Sequence, residues 1–278
     1  MNLIRGTYSS VSILRKTAIQ TVKAPQQRIY KHMLQQCACC TALMPVSPIL
    51  KRYKHSPTVS MSLEELSTWQ RMKWNMGFHG NLRVPNYKLK LSAYHLYICC
   101  TDFIDFPSFV KEAGIQDTFA SWFQLLLLHL WLLNVKLSQI GLEGVLLKDH
   151  VYKAMWQNVE VRLDTFKDLL GSEKRKYMQT FYNSMILSTM YYDEGLIGSD
   201  KQLANALWIS LYGMSKDVDP EKLELMVAYV RKQVYFHDQL DAETIMFPGY
   251  FPFLPLHGEK LDKRKADQDY KILVSSNS

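Results

Sequence analysis

No Asp or Glu occurs before Glu64, although the same stretch holds nine Lys or Arg: Arg5, Arg15, Lys16, Lys23, Arg28, Lys31, Lys51, Arg52 and Lys54. At the chain-average density of acids, a segment that long should hold about six. The net charge of +7 therefore divides into +9 on residues 1–63 and −2 on the remainder, where 24 basic residues face 26 acidic ones. The basicity belongs to a leader and not to the body. A general affinity of the folded part for nucleic acid is thereby excluded as the meaning of the overall charge.

Cysteine is scarce in the same informative way. Three of the five, Cys37, Cys39 and Cys40, lie in the leader, and only Cys99 and Cys100 remain beyond it. Two adjacent thiols cannot staple some 200 residues, so no disulfide framework is implied, and both read as reduced core or half-buried thiols. The CxCC triplet has no paired cluster and is a weak metal site. Catalytic signatures are missing too. There is no GxGxxG, P-loop, GxSxG or HExxH, no CxxC partner for the histidines, and no Glu-x-x-His pair of the kind a di-iron bundle needs. Nothing here argues for an enzyme, and no metal or cofactor is expected.

What is present begins with the leader. Leu3, Ile4, Val11, Leu14 and Ala18 fall near one face at helical spacing, with Arg15, Lys16 and Lys23 largely elsewhere. Thr7, Ser9, Ser10, Ser12 and Thr17 supply hydroxyls. Basic, hydroxylated, acid-free and amphipathic is the composition of a mitochondrial presequence. We expect a leader over residues 1–55, with cleavage between Pro45 and Thr58, and prefer this to a basic arm for nucleic acid. A secretory signal is disfavoured because no apolar run of the required length follows Arg5.

The body reads as all-α, a single multi-helix bundle followed by an extended aromatic strap and a disordered tail. Residues 62–100 form a helical lead-in. Ser62 with Glu65 makes a capping box for a helix carrying Leu63, Leu66, Trp69 and Met72 on one side, with Gly77 to end it. Tyr87 to Cys100 is ambiguous between helix and strand because it opens Lys-Leu-Lys-Leu. A short helix near Pro107 to Ala113 stops at Gly114. Asp117 caps the apolar stretch from Thr118 to Val135, which Gly141 closes. A helix from Leu142 to Phe166 carries Leu147, Val151, Met155 and Val159 in steps of four. Gly171 breaks the chain, Ser172 caps a helix to Tyr191, and Asp193-Glu194-Gly195 makes a turn. Ser199 opens a helix burying Leu203, Leu207 and Leu211. Asp219-Pro220 opens one with Leu223, Met226, Val227, Val230 and Val234 as its stripe. From Phe247 three prolines interleave with Phe247, Tyr250, Phe251 and Phe253 as the strap, and Glu259 to Ser278 is polar enough to be a tail.

The 18 uncharged residues between Asp117 and Lys136 just reach the length of a membrane span. Gln124, His129 and Asn134 decide otherwise. Five residues apart, they rotate by about 140° between successive members and cannot share one protected face. A core helix with these groups bonded inside is the better reading. His129 is then a satisfied core residue and not a ligand. Asp193-Glu194 looks like a paired carboxylate for acid–base work, but reads more readily as turn and caps. Lys174, Arg175 and Lys176 follow the Ser172 cap, where the helix dipole disfavours cations. They are either a solvated face or a contact patch for an acidic partner or RNA backbone, and Arg231-Lys232 is a second such candidate.

Three segments together resemble the ubiquinol–cytochrome c reductase (complex III) assembly chaperone family. In DTFASWFQLLLLHLWLLNVKL, Trp122, Phe123, Leu127, His129 and Trp131 match its helix pattern. In YDEGLIGSDKQLANALW, Tyr192, Asp193, Glu194, Gly195, Asp200, Leu203, Ala204, Ala206, Leu207 and Trp208 are in step, and LELMVAYVRKQV ends in the basic pair. Met155-Trp156 also fits, whereas Ile209-Ser210 departs from a pattern that has a basic residue after the Trp. The resemblance covers residues 102–240. It implies a non-enzymatic protein peripheral to the matrix side of the mitochondrial inner membrane. Its partners would be a small assembly-factor subunit, nascent cytochrome b and the mitochondrial ribosome, with no DNA. The competing expectation is a mitochondrial lipid- or quinone-binding helical protein, which requires an apolar pocket inside the bundle.

Overall fold

The computed structural model describes residues 67–76, 82–166, 170–258 and 260–275. The leader helix, Cys37, Cys39, Cys40, the cleavage region, the Ser62–Glu65 box and Gly77 lie outside them. The chain divides into two compact units, residues 1–55 with 117–120 and residues 56–116 with 121–278. The first falls almost wholly outside the described residues, and the second is the bundle. Helices account for its regular structure, and no strand occurs among the described residues.

The first described helix, α1 (Thr68–Asn75), is capped by Ser67 and Gln70 in reciprocal bonds. Ser67 N–H donates to Gln70 Oε1 at 2.9 Å and Gln70 N–H to Ser67 Oγ at 3.3 Å. The ambiguous stretch is helix α2 (Asn86–Thr101). Leu89, Ala93, Leu96 and Cys100 are buried at helical spacing, and this one long face outweighs the alternation of its first four residues. Arg83, just before it, donates from its backbone and guanidinium to Glu143 at 2.8–3.3 Å. Burial alone would raise the Glu143 carboxyl, but the Arg83 bonds hold it below the usual carboxylate range.

Helix α3 (Phe106–Glu112) ends before Gly114, whose φ of +67° is the left-handed value that favours glycine. Helix α4 (Phe119–Leu137) is the axis of the fold. Every residue from Leu125 to Leu133 is buried, at about 1.5–3 kcal/mol for each large apolar side chain taken from water. By length and composition this helix could cross a membrane, yet most of it is enclosed by protein. Phe123 meets Phe181 at 4.5 Å and Trp156 at 6.2 Å, Trp131 meets Tyr192 at 5.2 Å, and His129 meets Tyr229 at 5.9 Å. It is a core helix.

Helix α5 (Leu142–Asp164) buries Leu147, Val151, Met155 and Val159 as their spacing requires and lies along α2. Helix α6 (Gly171–Ile197) departs from expectation at both ends. It starts at Gly171 with Leu170 as the preceding residue, whose N–H donates to Glu173 Oε2 at 3.2 Å, so Ser172 is a first-turn residue and not the cap. It continues through Asp193-Glu194-Gly195, which is not a turn. Gly195 persists in the helix because the next helix passes directly against it. That helix, α7 (Asp200–Ser210), opens at Ser199, whose N–H donates to Gln202 Oε1 at 2.7 Å. It buries Leu203 and Leu207, and Leu211, just past its end, is buried as well. Helix α8 (Pro220–Asp238) opens at Asp219, whose Oδ1 accepts from Glu221 N–H at 3.1 Å. It packs on α7. After the short α9 (Ala242–Met246), residues 247–258 contain no helix, and Phe251, Leu254 and Leu256 are buried. Residues 263–275, assigned from composition to a disordered tail, are helical here as α10 (Lys263–Ser275). Leu273 is buried, and the Tyr250 hydroxyl donates to Ala266 O at 3.2 Å, contacts that a composition count does not register.

Candidate functional site

The residues of the YDEG–LAxALW pattern meet at the elbow between α6 and α7. Trp131 Nε1 donates to Asp193 Oδ1 at 2.8 Å, which ties the central helix to the surface of α6. Tyr192, fully buried, packs on the same indole. Partial burial pushes the Asp193 carboxyl upward, while the Trp131 bond and Lys148 pull it down. Asp193 and Glu194 both reach the surface, so the two neighbouring carboxylates do not share one enclosed site as an acid–base couple would. A Cβ built on Gly195 would stand 2.9 Å from Leu203 Cα and 3.3 Å from Leu203 N. Only a residue without a side chain allows the two backbones to approach this closely. Beyond the elbow Trp208 Nε1 donates to Ser215 O at 2.7 Å, Ala204 is half-buried, and Leu203 and Leu207 are in the core.

Arg231 closes the elbow from α8. Its guanidinium donates to the carbonyls of Leu196 at 2.9 Å, Gly198 at 2.9 Å and Gly195 at 3.3 Å, and to Asp200 Oδ1 at 3.0 Å. A helix leaves its last carbonyls unsatisfied and carries negative partial charge there, so a cation is well placed. Lys232 donates to the carbonyls of Pro255, Leu256 and Gly258 at 2.8–3.1 Å. Both basic residues are thus engaged within the molecule.

A third group fastens the chain after α9 to α8. Gln233 donates from Nε2 to Leu254 O at 2.8 Å and accepts from Leu254 N–H at 3.1 Å. His237 Nε2 donates to Pro252 O at 3.0 Å, and His95 Nδ1 donates to Pro248 O at 2.7 Å. His129 Nδ1 donates to Leu125 O at 2.8 Å, and its Nε2 accepts from the Tyr229 hydroxyl at 2.8 Å. Both ring nitrogens are satisfied and the imidazole is neutral, with burial pushing its pKa down to about 4. Burial does the same to His237, to about 3. Gln124 bonds Ser184 at 2.6 Å, but Asn134 Oδ1 finds no partner among the described residues. Two of the three polar groups of α4 are therefore bonded inside, and the third is not.

Lys174 ion-pairs with Glu160 at 3.2 Å and Asp164 at 2.6 Å across the α5–α6 contact, whereas Arg175 and Lys176 are exposed. Lys174 and Arg175 line an open surface groove of about 610 Å³ with Trp156, Glu160, Met178, Gln179 and Tyr182. Trp122, half-buried, carries the Arg162 guanidinium 4.5 Å over its ring. Cys99 and Cys100 are buried free thiols whose ionisation burial suppresses. No group of three or more His, Cys, Asp or Glu able to hold a metal occurs among the described residues.

Sequence reasoning missed Tyr229, Gln233 and His237. The signal was their spacing: polar-capable residues in steps of four along an otherwise apolar stripe of α8 mark a buried network.

This architecture defines a class: an all-α scaffold whose buried polar groups hold its own elements in register. The chain belongs to the ubiquinol–cytochrome c chaperone family, whose pattern matches residues 111–249. It is 38% identical to a ubiquinol-cytochrome-c reductase complex assembly factor 1 of Xenopus laevis over 184 residues, 65% of this chain and 90% of that protein. With the Homo sapiens protein of that name it shares 32% identity over 196 residues, 69% of this chain and 64% of that one. With the Saccharomyces cerevisiae protein CBP3, mitochondrial, it shares 28% over 59% of this chain and 49% of that one. The match therefore spans about two thirds of the human relative and about half of the yeast one. No solved structure matches it.

Proposed function

We propose that this protein is an assembly chaperone of mitochondrial complex III that acts by binding and not by catalysis. The observation that carries the reading is the family match over 111–249, which contains the α6–α7 elbow and the Arg231 clasp, together with relatives named as complex III assembly factors. Residues 1–55 direct the chain to the mitochondrion and are removed there. Residues 62–100 lead into the binding domain at 102–240, and residues 247–278 follow it. On the matrix side of the inner membrane the bundle holds newly made cytochrome b, in company with a small partner subunit and close to the mitochondrial ribosome. Arg175 and Lys176, exposed beside an aromatic groove, suit an acidic partner or RNA backbone better than Arg231 and Lys232, which are engaged internally.

The lipid- or quinone-binding alternative calls for an enclosed apolar pocket. The groove at Trp156 and Tyr182 is instead open and carries Glu160, Lys174 and Arg175, which favours a protein surface. Affinity capture of the processed chain from mitochondria tests the proposal. Cytochrome b, a small partner subunit and ribosomal proteins are expected in the eluate, and recovery without any of them would sink it.

A further inference from the structure

The −2 charge of the body conceals a second acid-free stretch. Between Glu65 and Asp102 no Asp or Glu occurs in 36 residues, while Arg71, Lys73, Arg83, Lys88 and Lys90 do. Residues 102–278 hold 19 Lys or Arg against 24 Asp or Glu, so their charge is −5. All positive excess of the body therefore sits in the stretch before Asp102. Arg83 is committed to Glu143; Lys73, Lys88 and Lys90 accompany exposed apolar side chains.

On α1 every described side chain is exposed. Trp69, Met72 and Met76, at positions i, i+3 and i+7, share one face and are 60%, 45% and 56% exposed. Lys73 reaches over the Trp69 ring at 5.5 Å. Helix α2 buries Leu89, Ala93, Leu96 and Cys100, and turns Tyr87, Lys90 and Tyr94 outward, again at i, i+3 and i+7. Beside them Lys88 lies 4.8 Å over the ring of Phe247, itself part-exposed. Apolar and aromatic side chains exposed at helical spacing beside lysines, on a stretch of chain that itself carries no acid, match the interfacial layer of a membrane. Tryptophan and tyrosine prefer the headgroup level there, and lysine stems snorkel to anionic phosphates.

We propose that the exposed faces of α1 and α2 are docking elements for an anionic lipid bilayer. Trp69, Met72 and Met76 enter the headgroup–acyl boundary, Tyr87 and Tyr94 lie at headgroup level, and Lys73, Lys88 and Lys90 supply the attraction. RNA fits less well, because a phosphate backbone gives Met72 and Met76 nothing to bury against. The choice of bilayer rests on the reading of the protein as peripheral to the inner membrane. Lipid binding and capture of cytochrome b are nonetheless measured separately, so either can fail alone.

Tryptophan emission from the full chain, mixed with vesicles of brominated phosphatidylcholine and phosphatidylglycerol, tests this directly. The leader contains no Trp, so its own attraction to lipid adds no signal. Part of the emission is expected to be quenched, less so at high salt and much less on vesicles without phosphatidylglycerol. Trp69 and Trp74 are the tryptophans between Glu65 and Asp102, and the double substitution Trp69→Phe, Trp74→Phe should abolish the quenching. Lys73→Glu with Lys88→Glu and Lys90→Glu should cut it by about fivefold or more. Emission unquenched on vesicle-bound chain, quenching that survives the tryptophan substitutions, or binding of polyuridylate RNA with no binding of vesicles would each overturn the proposal.

Discussion

Gly195 shows how one residue can invert a general rule. Inside an ordinary helix, glycine to alanine is stabilising by about 1 kcal/mol. Here the added carbon would meet the backbone of Leu203 at 2.9 Å, and backbone cannot rotate aside. We expect Gly195→Ala to destabilise the protein by roughly 1–3 kcal/mol, as overpacking does. Gly171 is the internal control, since a Cβ added there would meet nothing within 4 Å. Gly171→Ala should leave the melting temperature unchanged or raise it, and thermal unfolding of the two variants side by side reads the difference in sign. His129 illustrates the opposite case, a residue whose isolated chemistry invites a functional role. Both of its nitrogens are already bonded within the core, to Leu125 O and the Tyr229 hydroxyl.

At the scale of elements, Arg231 joins three of them. Its bonds to Gly195, Leu196 and Gly198 carbonyls finish α6, its bond to Asp200 reaches the first turn of α7, and its own backbone belongs to α8. Arg231→Ala leaves those carbonyls without their donor. A loss of about 1.5–3 kcal/mol is expected in denaturant unfolding, the range for hydrogen bonds to a charged group. Asp200→Asn removes only the exposed ion pair and should cost less than about 1 kcal/mol. Equal losses would mean that the carbonyl bonds contribute little. The elements whose ends follow local chemistry were legible beforehand: Ser199 and Asp219-Pro220 open α7 and α8 as their sequence demands. The end of α6 was not. Asp, Glu and Gly in succession carry every local mark of a turn, and the helix continues there because α7 and Arg231 favour close approach at Gly195.

For the molecule as a whole, two buried neutral histidines make stability depend on pH. Burial holds His129 at about 4 and His237 at about 3, against about 6.5 in the unfolded chain. Between those values the unfolded state binds more protons than the folded one, so stability rises with pH and is lost as pH falls below about 6.5. By pH 5 the loss should be roughly 2 kcal/mol for each histidine. The melting temperature measured from pH 7 to pH 5 should therefore fall, and His237→Gln should make that fall shallower. An unchanged slope in the variant would remove His237 from the account.

The sequence by itself determined the helical class, the stripes of α5, α7 and α8, the burial of the apolar stretch and the family, because these depend on periodicity, caps and residue identity within short windows. Only the tertiary structure decided what the polar residues do. Arg231 and Lys232 look like a free basic pair in the chain and become a helix cap and a tether in the fold, since the carbonyls they satisfy lie 23 to 36 residues away. The Tyr229–Gln233–His237 network needed the packed chain after α9 to give it partners. The exposed face of α1 likewise emerged only when the bundle left it uncovered. A residue's partners are set by the whole chain's path, which local pattern does not carry.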